Sequence, residues 1–529
     1  MFSRRVWLLV ILLSFLFLLA LGRLIDLQII HTRFYQEKSQ EQRTRIIPLA
    51  SQRGDIYDRQ GQVLASMVDA YSVFTQEHGF QWVARKVSKK EAEAVQAKNP
   101  QAYFILQEKK RIYPKGHLAS QLLGFVGSDN QGLSGLELAC EKYLRGKEGK
   151  IITEGDPLGR ELYGAGREIQ PKEEGLNVTL TIDTNLQYLV ERELEDQVKK
   201  FKADSGMVII MQAKTGEILA LASKPDFDPN FFYKFDKKLW HPRFLDPYEP
   251  GSTFKVITAA SALEEGVIDL NTKLKALDQI EVGGKIIKNS HRIDWPGKEI
   301  SLSFMLEQSI NTGAVQVGLK LGPEKFYRHL KKFGFGEETG FGLLGESGGI
   351  LRFWKNWYKP DLAMMTFGQS VAVTPLQLLQ AFSAFANKGK MVRPYLIKKI
   401  ESRDGKFVKV MVPEERGQPL SDKTVAQVKE LLHNVVLKGS GRRAQMEDFK
   451  VGGKTGTAQK AALGGRGYLK GSYIASFIGL APLTDPELIG LVVIDNPKGV
   501  IWGETVCGPV FKKTVEFSLR YLNVPPDML

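Results

Sequence analysis

The chain has 529 residues, of which 43% are apolar and 25% charged, and this is the composition of an ordinary globular protein with room for about three domains. A formal net charge of +14 favours an anionic partner, such as lipid headgroups or an acidic polymer, unless the basic residues are simply solvated. No basic block is interleaved with aromatics, so no nucleic acid is expected. Cys140 and Cys507 lie far apart, and no histidines share a metal-ligand spacing, so neither a disulfide framework, a metal nor another cofactor is expected.

The first thirty residues predict a membrane anchor. Two arginines precede an uncharged apolar run, Val6–Gly22, which is just long enough to span a bilayer, and apolar residues resume after Arg23. Basic residues ahead of the run favour an N-terminus inside the cell. A cleaved signal peptide is the alternative, but the run leads into Arg23 without a small-residue cleavage site. We therefore expect residues 1–5 to be a cytoplasmic tail and residues 6–30 an uncleaved, single-pass anchor in the inner membrane, with the rest of the chain in the periplasm.

Between the anchor and about residue 200, short strand patterns alternate with charged helical stretches. The polar stretch His31–Arg45 predicts a juxtamembrane helix or linker. Lys89–Gln96 is predicted to be helical because a serine and a glutamate at its start can cap it. Val178–Ile182 then predicts a strand and Asn185–Lys200 an amphipathic helix.

A second region begins near Ser205. The apolar runs Gly206–Gln212 and Ile218–Ala222 flank a turn with glycine and predict a β-hairpin. A long helical region is expected from about residue 252 to about residue 440. Tyr473–Leu480 and Leu488–Ile494 predict a second hairpin. Strands at both ends of this region, with helices between them, predict one α+β domain whose terminal strands share a sheet.

Three short motifs indicate the chemistry. S-x-x-K occurs once, at Ser252–Lys255, whereas S-x-N occurs at Ser128–Asn130 and Ser309–Asn311, and K-T-G at Lys214–Gly216 and Lys454–Gly456. Serine acyltransferases carry these motifs in that order, and only the later copies of S-x-N and K-T-G follow the S-x-x-K. We expect the earlier copies to be loop and turn sequences.

Ser252 is the predicted nucleophile. It follows a Pro-Gly pair and is expected to open a helix, with Lys255 one turn further on the same face. Burial lowers the pKa of a lysine, so a neutral Lys255 can accept the serine proton. Ser309 is assigned a proton relay and Asn311 a contact with a substrate amide. For an isolated S-x-x-K the plainer interpretation, a helix cap beside a solvated lysine, would be preferred.

The segment Gly452–Thr457 predicts a strand against which a substrate backbone can lie, because its glycines leave room for strand addition. Lys454 and the threonine hydroxyls suit a terminal carboxylate, and the backbone N–H groups of Thr457 and Ser252 can form an oxyanion hole. A phosphate-binding P-loop is excluded, because an aspartate stands where its first glycine is required. The residues expected to bind substrate are Thr455, Gly456 and Thr457.

Beyond these motifs, most of residues 45–515 resembles the class B penicillin-binding proteins. Glu249–Val256 and Gly452–Gln459 are more similar to the division (FtsI-like) branch than to the elongation branch. Further similar segments are Arg53–Gly61, Arg111–Pro114, Gly124–Gly127, Gly135–Glu137, Phe333–Gly336, Thr339–Gly340, Gly345–Glu346, Gly368–Ser370 and Thr374–Gln377.

The resemblance implies an α+β fold in which residues 31–200 form a mixed α/β pedestal (dimerisation-like) domain and residues 201–529 a transpeptidase domain, mainly an antiparallel sheet flanked by helices. It implies a serine-type D-Ala-D-Ala transpeptidase that cross-links peptidoglycan stem peptides through a Ser252 acyl-enzyme during septal cell-wall synthesis. β-Lactams are then covalent inhibitors. No glycosyltransferase domain is evident, so the implied partner is a polytopic glycosyltransferase of the shape, elongation, division and sporulation class, FtsW-like or RodA-like.

Three alternatives stay open. One is an elongation-type transpeptidase. The second is a D,D-carboxypeptidase or β-lactamase-like hydrolase, which needs a group that activates water, and the sequence assigns none. The third is a non-catalytic β-lactam sensor or scaffold, which the intact motifs and the lack of a cytoplasmic domain before Val6 disfavour.

Overall fold

The computed structural model describes residues 2–49, 51–155, 167–294, 297–462 and 467–528, so the outer ends of the predicted tail and transpeptidase domain, residues 1 and 529, lie outside the described residues. The helices are α1 (Phe2–Ile25), α2 (Thr32–Arg43), α3 (Lys89–Gln96), α4 (Ser120–Leu123), α5 (Gly135–Ala139), α6 (Glu141–Leu144), α7 (Thr184–Lys200), α8 (Lys255–Glu264), α9 (Leu302–Glu307), α10 (Asn311–Leu321), α11 (Pro323–Lys332), α12 (Lys359–Met365), α13 (Pro375–Ser383), α14 (Asp422–Lys438), α15 (Gly503–Val506) and α16 (Gly508–Tyr521). The strands are β1 (Thr44–Leu49), β2 (Ile56–Tyr57), β3 (Val63–Thr75), β4 (Gln81–Val87), β5 (Tyr103–Ile112), β6 (Gly149–Glu154), β7 (Glu168–Gln170), β8 (Asn177–Leu180), β9 (Ser205–Gln212), β10 (Ile218–Lys224), β11 (Lys273–Lys275), β12 (Gln279–Val282), β13 (Lys285–Lys288), β14 (Glu299–Ser301), β15 (Ile397–Glu401), β16 (Val408–Val410), β17 (Gly452–Ala461), β18 (Tyr468–Ala481) and β19 (Leu488–Asp495).

The chain divides into two compact units, of which the first comprises Met1–Gln52 and Gly146–Gly175. Helix α1 continues into a π-helical turn, and Arg4–Ile30 has the length and apolar composition needed to cross a membrane. At about 1.5 Å per residue it exceeds the roughly 30 Å of a bilayer core. It coincides with the predicted anchor, and α2 confirms a helix in the juxtamembrane stretch. Strands β1, β6 and β7 form an antiparallel sheet in this unit.

The second unit comprises Arg53–Arg145 and Leu176–Leu529, and its principal sheet has the order β10-β9-β19-β18-β17. Every neighbouring pair in this sheet is antiparallel. Both predicted hairpins are present, and the strands from the two ends of the region pair directly, β9 with β19, as predicted. Strand β17 lies at the edge of the sheet, with one side of its backbone unpaired by any other strand of the described sheet.

Helices cover both faces of this sheet, because successive residues of its central strands point to opposite sides and both sides are apolar. Ile209 and Met211 pack in one core with α8 and α14, whereas Val208 and Ile210 pack in the other with α7 and α16. All four side chains are fully buried or nearly so. The sheet is therefore a fixed platform for residues on its edge strand.

The long helical region expected from about residue 252 to about residue 440 is not helical throughout: α8 to α14 lie in it, but strands interrupt them. Strands β11 to β16 lie within it, and they pair as two small ribbons and as an extension of a second sheet. Each of these strands is only three to five residues long. Such short strands show too little alternation to be distinguished from loops, and distant pairing stabilises them.

The second sheet has the order β16-β15-β8-β2-β3-β4, with β5 paired to β3. In this sheet β8 pairs with β15, which lies more than two hundred residues later in the chain. Strand β8 confirms the strand predicted near residue 178. Helix α7 follows as predicted, and α3 begins with the predicted capping box of Ser88 and Glu91.

Three segments that carry the family resemblance meet in a buried ion-pair network beside this sheet. Both carboxylate oxygens of Glu137 accept from guanidinium Nε atoms, of Arg53 and of Arg111, each at 2.7 Å. The Tyr113 hydroxyl donates to the same carboxylate at 3.2 Å. Glu137 is fully buried, so removal of its charge would leave Arg111 without an ion-pair partner among the described residues and Arg53 with Glu141 alone. Cys140 and Cys507 are both free and buried.

Candidate active site

The turn that carries Ser252 is a short 3-10 helix, Gly251–Phe254, which leads directly into α8 and confirms that Ser252 opens a helix. Gly251 has a φ of +59°, and its N–H donates to the Gly368 carbonyl at 3.1 Å. A Cβ at Gly368 would lie 2.2 Å from the Gly251 carbonyl oxygen. Only glycine permits this approach, and the contact fixes the turn that presents the partly exposed Ser252.

Lys255, Ser309 and Lys454 form what we call the lysine–serine cluster. Lys255 Nζ donates to the Ser309 carbonyl oxygen at 2.5 Å and to its hydroxyl oxygen at 3.2 Å. Lys454 Nζ lies 3.0 Å from the same hydroxyl and also contacts the hydroxyl of Thr455 at 3.2 Å. Ser309 follows α9 with a φ of +57°, a left-handed conformation that turns its carbonyl and hydroxyl towards the two lysines.

Both lysines of this cluster are fully buried, and neither has an ion-pair partner among the described residues. Burial lowers the pKa of Lys255 well below its usual value, and the positive charge of Lys454 lowers it further. Burial alone lowers the pKa of Lys454 to about 7. Both causes favour the neutral form of Lys255, which can accept a proton from a hydroxyl group.

Asn311 begins α10, directly after the turn at Ser309. Its Nδ2 donates to the Lys288 carbonyl at 2.9 Å, which fixes the orientation of the carboxamide. The next N–H, of Thr312, donates to the side chain of Asn289 at 3.0 Å. Within the described part of the chain the Oδ1 of Asn311 has no hydrogen-bond partner, so it can accept from a substrate N–H.

The K-T-G strand is β17, as predicted. Thr455 Oγ1 lies 2.9 Å from the hydroxyl of Ser440, and Thr457 Oγ1 accepts from the N–H of Gly503 at 3.2 Å. A Cβ at Gly456 would lie 2.2 Å from the Ser476 hydroxyl, so this glycine lets the strand pack closely. Ser440 could not be predicted from the sequence, because it belongs to no motif and only the fold brings it next to Thr455.

A cavity of about 680 Å³ opens above these residues. Five of the predicted residues line it together: Ser252, Ser309, Asn311, Thr455 and Thr457. Lys255 and Lys454 lie behind this surface and reach it through Ser309. The lining residues that sequence reasoning did not single out include Lys285, Lys288, His291, Tyr468, Trp502 and Glu504.

The second copies of two motifs lie elsewhere, as predicted. Lys214 lies in the turn between β9 and β10, and its ammonium pairs with Asp485 and Glu487. Asn130 lies in a loop and accepts from Lys86 at 2.7 Å. Within the part of the chain that the structure describes, no group of three or more His, Cys, Asp or Glu side chains could hold a metal ion.

Glu249, three residues before the serine, is a further group that sequence reasoning missed. Its carboxylate accepts from the Ser370 N–H at 2.9 Å and from the Tyr468 hydroxyl at 3.4 Å. Burial raises the pKa of this carboxyl group. It ties the strand β18 and the loop after Gly368 to the segment that precedes Ser252.

Comparison with known proteins agrees with this geometry. Residues 206–516 match the penicillin-binding protein transpeptidase domain, and residues 78–180 match the penicillin-binding protein dimerisation domain. The chain is 36% identical to stage V sporulation protein D of Bacillus subtilis, covering 91% of this chain and 80% of that protein. It is 30% identical to the peptidoglycan D,D-transpeptidase FtsI of Escherichia coli, covering 98% and 92%.

Among solved structures, penicillin-binding protein 3 of Mycobacterium tuberculosis complexed with aztreonam is 27% identical, with a TM-score of 0.75 over 91% of this chain and 98% of that one. The fold and the matched domains thus define a penicillin-binding enzyme with a transpeptidase domain. The chain belongs to the class B penicillin-binding proteins, which pair this domain with a dimerisation domain.

Proposed function

We propose that this protein is a peptidoglycan D,D-transpeptidase that cross-links stem peptides through an acyl-enzyme on Ser252 during septal cell-wall synthesis. The observation that carries the proposal is the convergence of three motifs, separated by up to two hundred residues, on one cavity. Ser252, Asn311 and Thr457 line it, and the lysine–serine cluster supports it from behind.

The chemistry follows from the protonation states. Neutral Lys255 accepts the Ser252 proton as the hydroxyl oxygen attacks the carbonyl of the penultimate D-Ala. The N–H groups of Ser252 and Thr457 stabilise the oxyanion. The bond to the terminal D-Ala breaks, and the proton passes through Ser309 to its leaving amine. An amine of a second stem peptide then attacks the ester, its proton returns to Ser252, and the cross-link is released.

Substrate binding is assigned to the unpaired side of β17. An extended peptide can add to this edge as a further strand, with Thr457 beside the scissile carbonyl. Lys454, Thr455 and Ser440 form a donor group suited to the terminal carboxylate. Asn311 holds a backbone amide of the donor peptide from the opposite side of the cavity.

The domain plan is proposed as 1–5 cytoplasmic tail, 6–30 anchor, 31–200 pedestal and 201–529 transpeptidase domain. The anchor is a single pass through the inner membrane, with the N-terminus inside. The proposed partner is a polytopic glycosyltransferase, FtsW-like or RodA-like. The septal role is supported by a relative named FtsI and by the local similarity of the S-x-x-K and K-T-G segments to that branch.

A labelled penicillin tests the mechanism. We expect wild-type protein in membranes to carry one long-lived adduct and Ser252→Ala to carry none, while Ser128→Ala, in the earlier S-x-N copy, is labelled normally. Rapid release of the adduct would favour a hydrolase. A cell wall that is fully cross-linked when Ser252→Ala is the only copy would favour a scaffold and contradict the proposal.

The branch is tested separately in cells. A fluorescent fusion is expected at the division site, and depletion is expected to give filaments. Enrichment along the lateral wall, with rounded cells on depletion, would instead assign the protein to elongation.

A further inference from the structure

One side of the cavity carries three basic side chains that the mechanism above does not use. Lys285 and Lys288 belong to β13, and His291 follows that strand. All three are exposed and line the same cavity as Ser252. We call them the basic wall.

Hydrogen bonds hold the basic wall in place beside Asn311. The Lys288 carbonyl accepts from Asn311 Nδ2, and Asn289 Oδ1 accepts from the N–H of Thr312, the second residue of α10. Asn289 Nδ2 in turn donates to the Leu277 carbonyl at 2.8 Å. Strand β13 is also paired with β12 along its full length. The segment that carries the basic wall therefore also orients the side chain of Asn311 in the S-x-N motif.

The charges of the basic wall are uncompensated. Within the described residues, neither lysine nor His291 has a carboxylate within ion-pair distance. Glu504 lines the cavity on the β17 side, and Lys285 is near enough to Glu249 to lower the pKa of that carboxyl group, yet neither acid forms an ion pair with the wall.

A second cavity provides the contrast. It is also lined by lysines, among them Lys214 and Lys390, but Lys214 pairs with Asp485 and Glu487, and Lys390 pairs with Glu415. The protein itself thus neutralises two of the three lysines at this cavity, whereas Lys388 has no ion-pair partner among the described residues. At the active-site cavity none of the three side chains of the basic wall is neutralised in this way by a described residue, so all three can interact with an anionic ligand.

We infer that the basic wall binds a carboxylate of the donor stem peptide that lies upstream of the scissile bond, distinct from the terminal carboxylate held by Lys454 and Thr455. This inference rests on the proposed function. The donor, rather than the acceptor, is assigned because the wall is bonded directly to Asn311, which holds the donor amide. Two lysine ammonium groups and an imidazole N–H supply charge-assisted hydrogen bonds to such a group.

The test uses two synthetic pentapeptides ending in D-Ala-D-Ala that differ only in whether an upstream side carboxyl is free or a primary amide. The release of D-Ala gives kcat/KM for each. We expect wild type to prefer the free carboxylate about tenfold, Lys285→Gln and Lys288→Gln each to lower that ratio about threefold, and the double variant to abolish it. Lys390→Gln, at the second cavity, is the matched control and keeps the wild-type ratio.

Higher ionic strength should lower the wild-type ratio, because the wall is solvent-exposed and its field is screened. A wild-type ratio near one, or an unchanged ratio in the double variant, overturns the inference. The inference is also overturned if the enzyme discriminates between acceptor peptides that differ in this carboxyl but not between donor peptides that do. Penicillin labelling of the same samples separates the two proposals, since unlabelled wild type would refute the transpeptidase mechanism itself.

Discussion

Replacement of Lys454 by methionine is predicted to shift the pH dependence of acylation. Both lysine nitrogens lie within 3.2 Å of the Ser309 hydroxyl oxygen, so they are at most about 6 Å apart, and two unit charges at that separation repel by about 3 kcal/mol at an effective dielectric constant of about 20. That repulsion corresponds to about a hundredfold change in the ratio of neutral to protonated Lys255.

The sign follows from the causes of the shift. Burial lowers the pKa of Lys255 and remains in the variant, whereas the second cause, the Lys454 charge, is removed. The pKa of Lys255 therefore rises, and the lysine becomes a neutral base only at higher pH. The effect is largest below pH 7, where wild-type Lys454 is mostly protonated, because burial lowers its pKa to about 7.

The assay is the second-order rate constant for acylation by a fluorescent penicillin, measured from about pH 5.5 to about pH 9.5 and normalised to each protein's own plateau. We expect Lys454→Met to have a lower plateau, from the lost carboxylate contact, and an acid limb displaced to higher pH. Lys214→Met, in the earlier K-T-G copy, should match wild type. A normalised profile for Lys454→Met that superimposes on wild type would refute the electrostatic coupling of the two lysines.

Three further predictions concern stability and reactivity. Glu137→Gln should cost about 3–5 kcal/mol in unfolding free energy measured by urea denaturation, because it leaves the buried Arg111 guanidinium without a counter-ion and Arg53 with Glu141 alone. A cost below about 1 kcal/mol would contradict the network's role. Gly368→Ala should lower the thermal midpoint and the rate of penicillin labelling, whereas Gly405→Ala, at a similar positive φ but in open space, should affect stability only mildly and leave labelling intact. Cys140 and Cys507 should react with a thiol reagent only after unfolding, because burial raises the pKa of both thiols, that of Cys140 to about 12. Fast labelling of either cysteine in the native protein would contradict this prediction.

Much of the fold was accessible from local patterns. The anchor, the capped helix α3 and the two hairpins of the main sheet depend on neighbouring residues, so their signals survive in a short window of sequence. The order of the motifs likewise distinguished the proposed catalytic S-x-N and K-T-G, which contain Ser309 and Lys454, from the earlier copies of the same motifs. What failed was the region between, where β11 to β16 are short and each depends on a partner far along the chain.

The sequence by itself determined which residue types are available: one S-x-x-K serine, two lysines in motif positions and an apolar anchor. Only the tertiary structure decided how deeply these residues are buried, which groups surround them and therefore how their pKa values shift. It buries Lys255 and Lys454 against Ser309, places β17 at an edge of the main sheet and gives the basic wall no counter-ion from the described residues. The reason is physical, since the pKa of a lysine depends on desolvation and on charges a few ångströms away, and those neighbours come from segments up to two hundred residues apart.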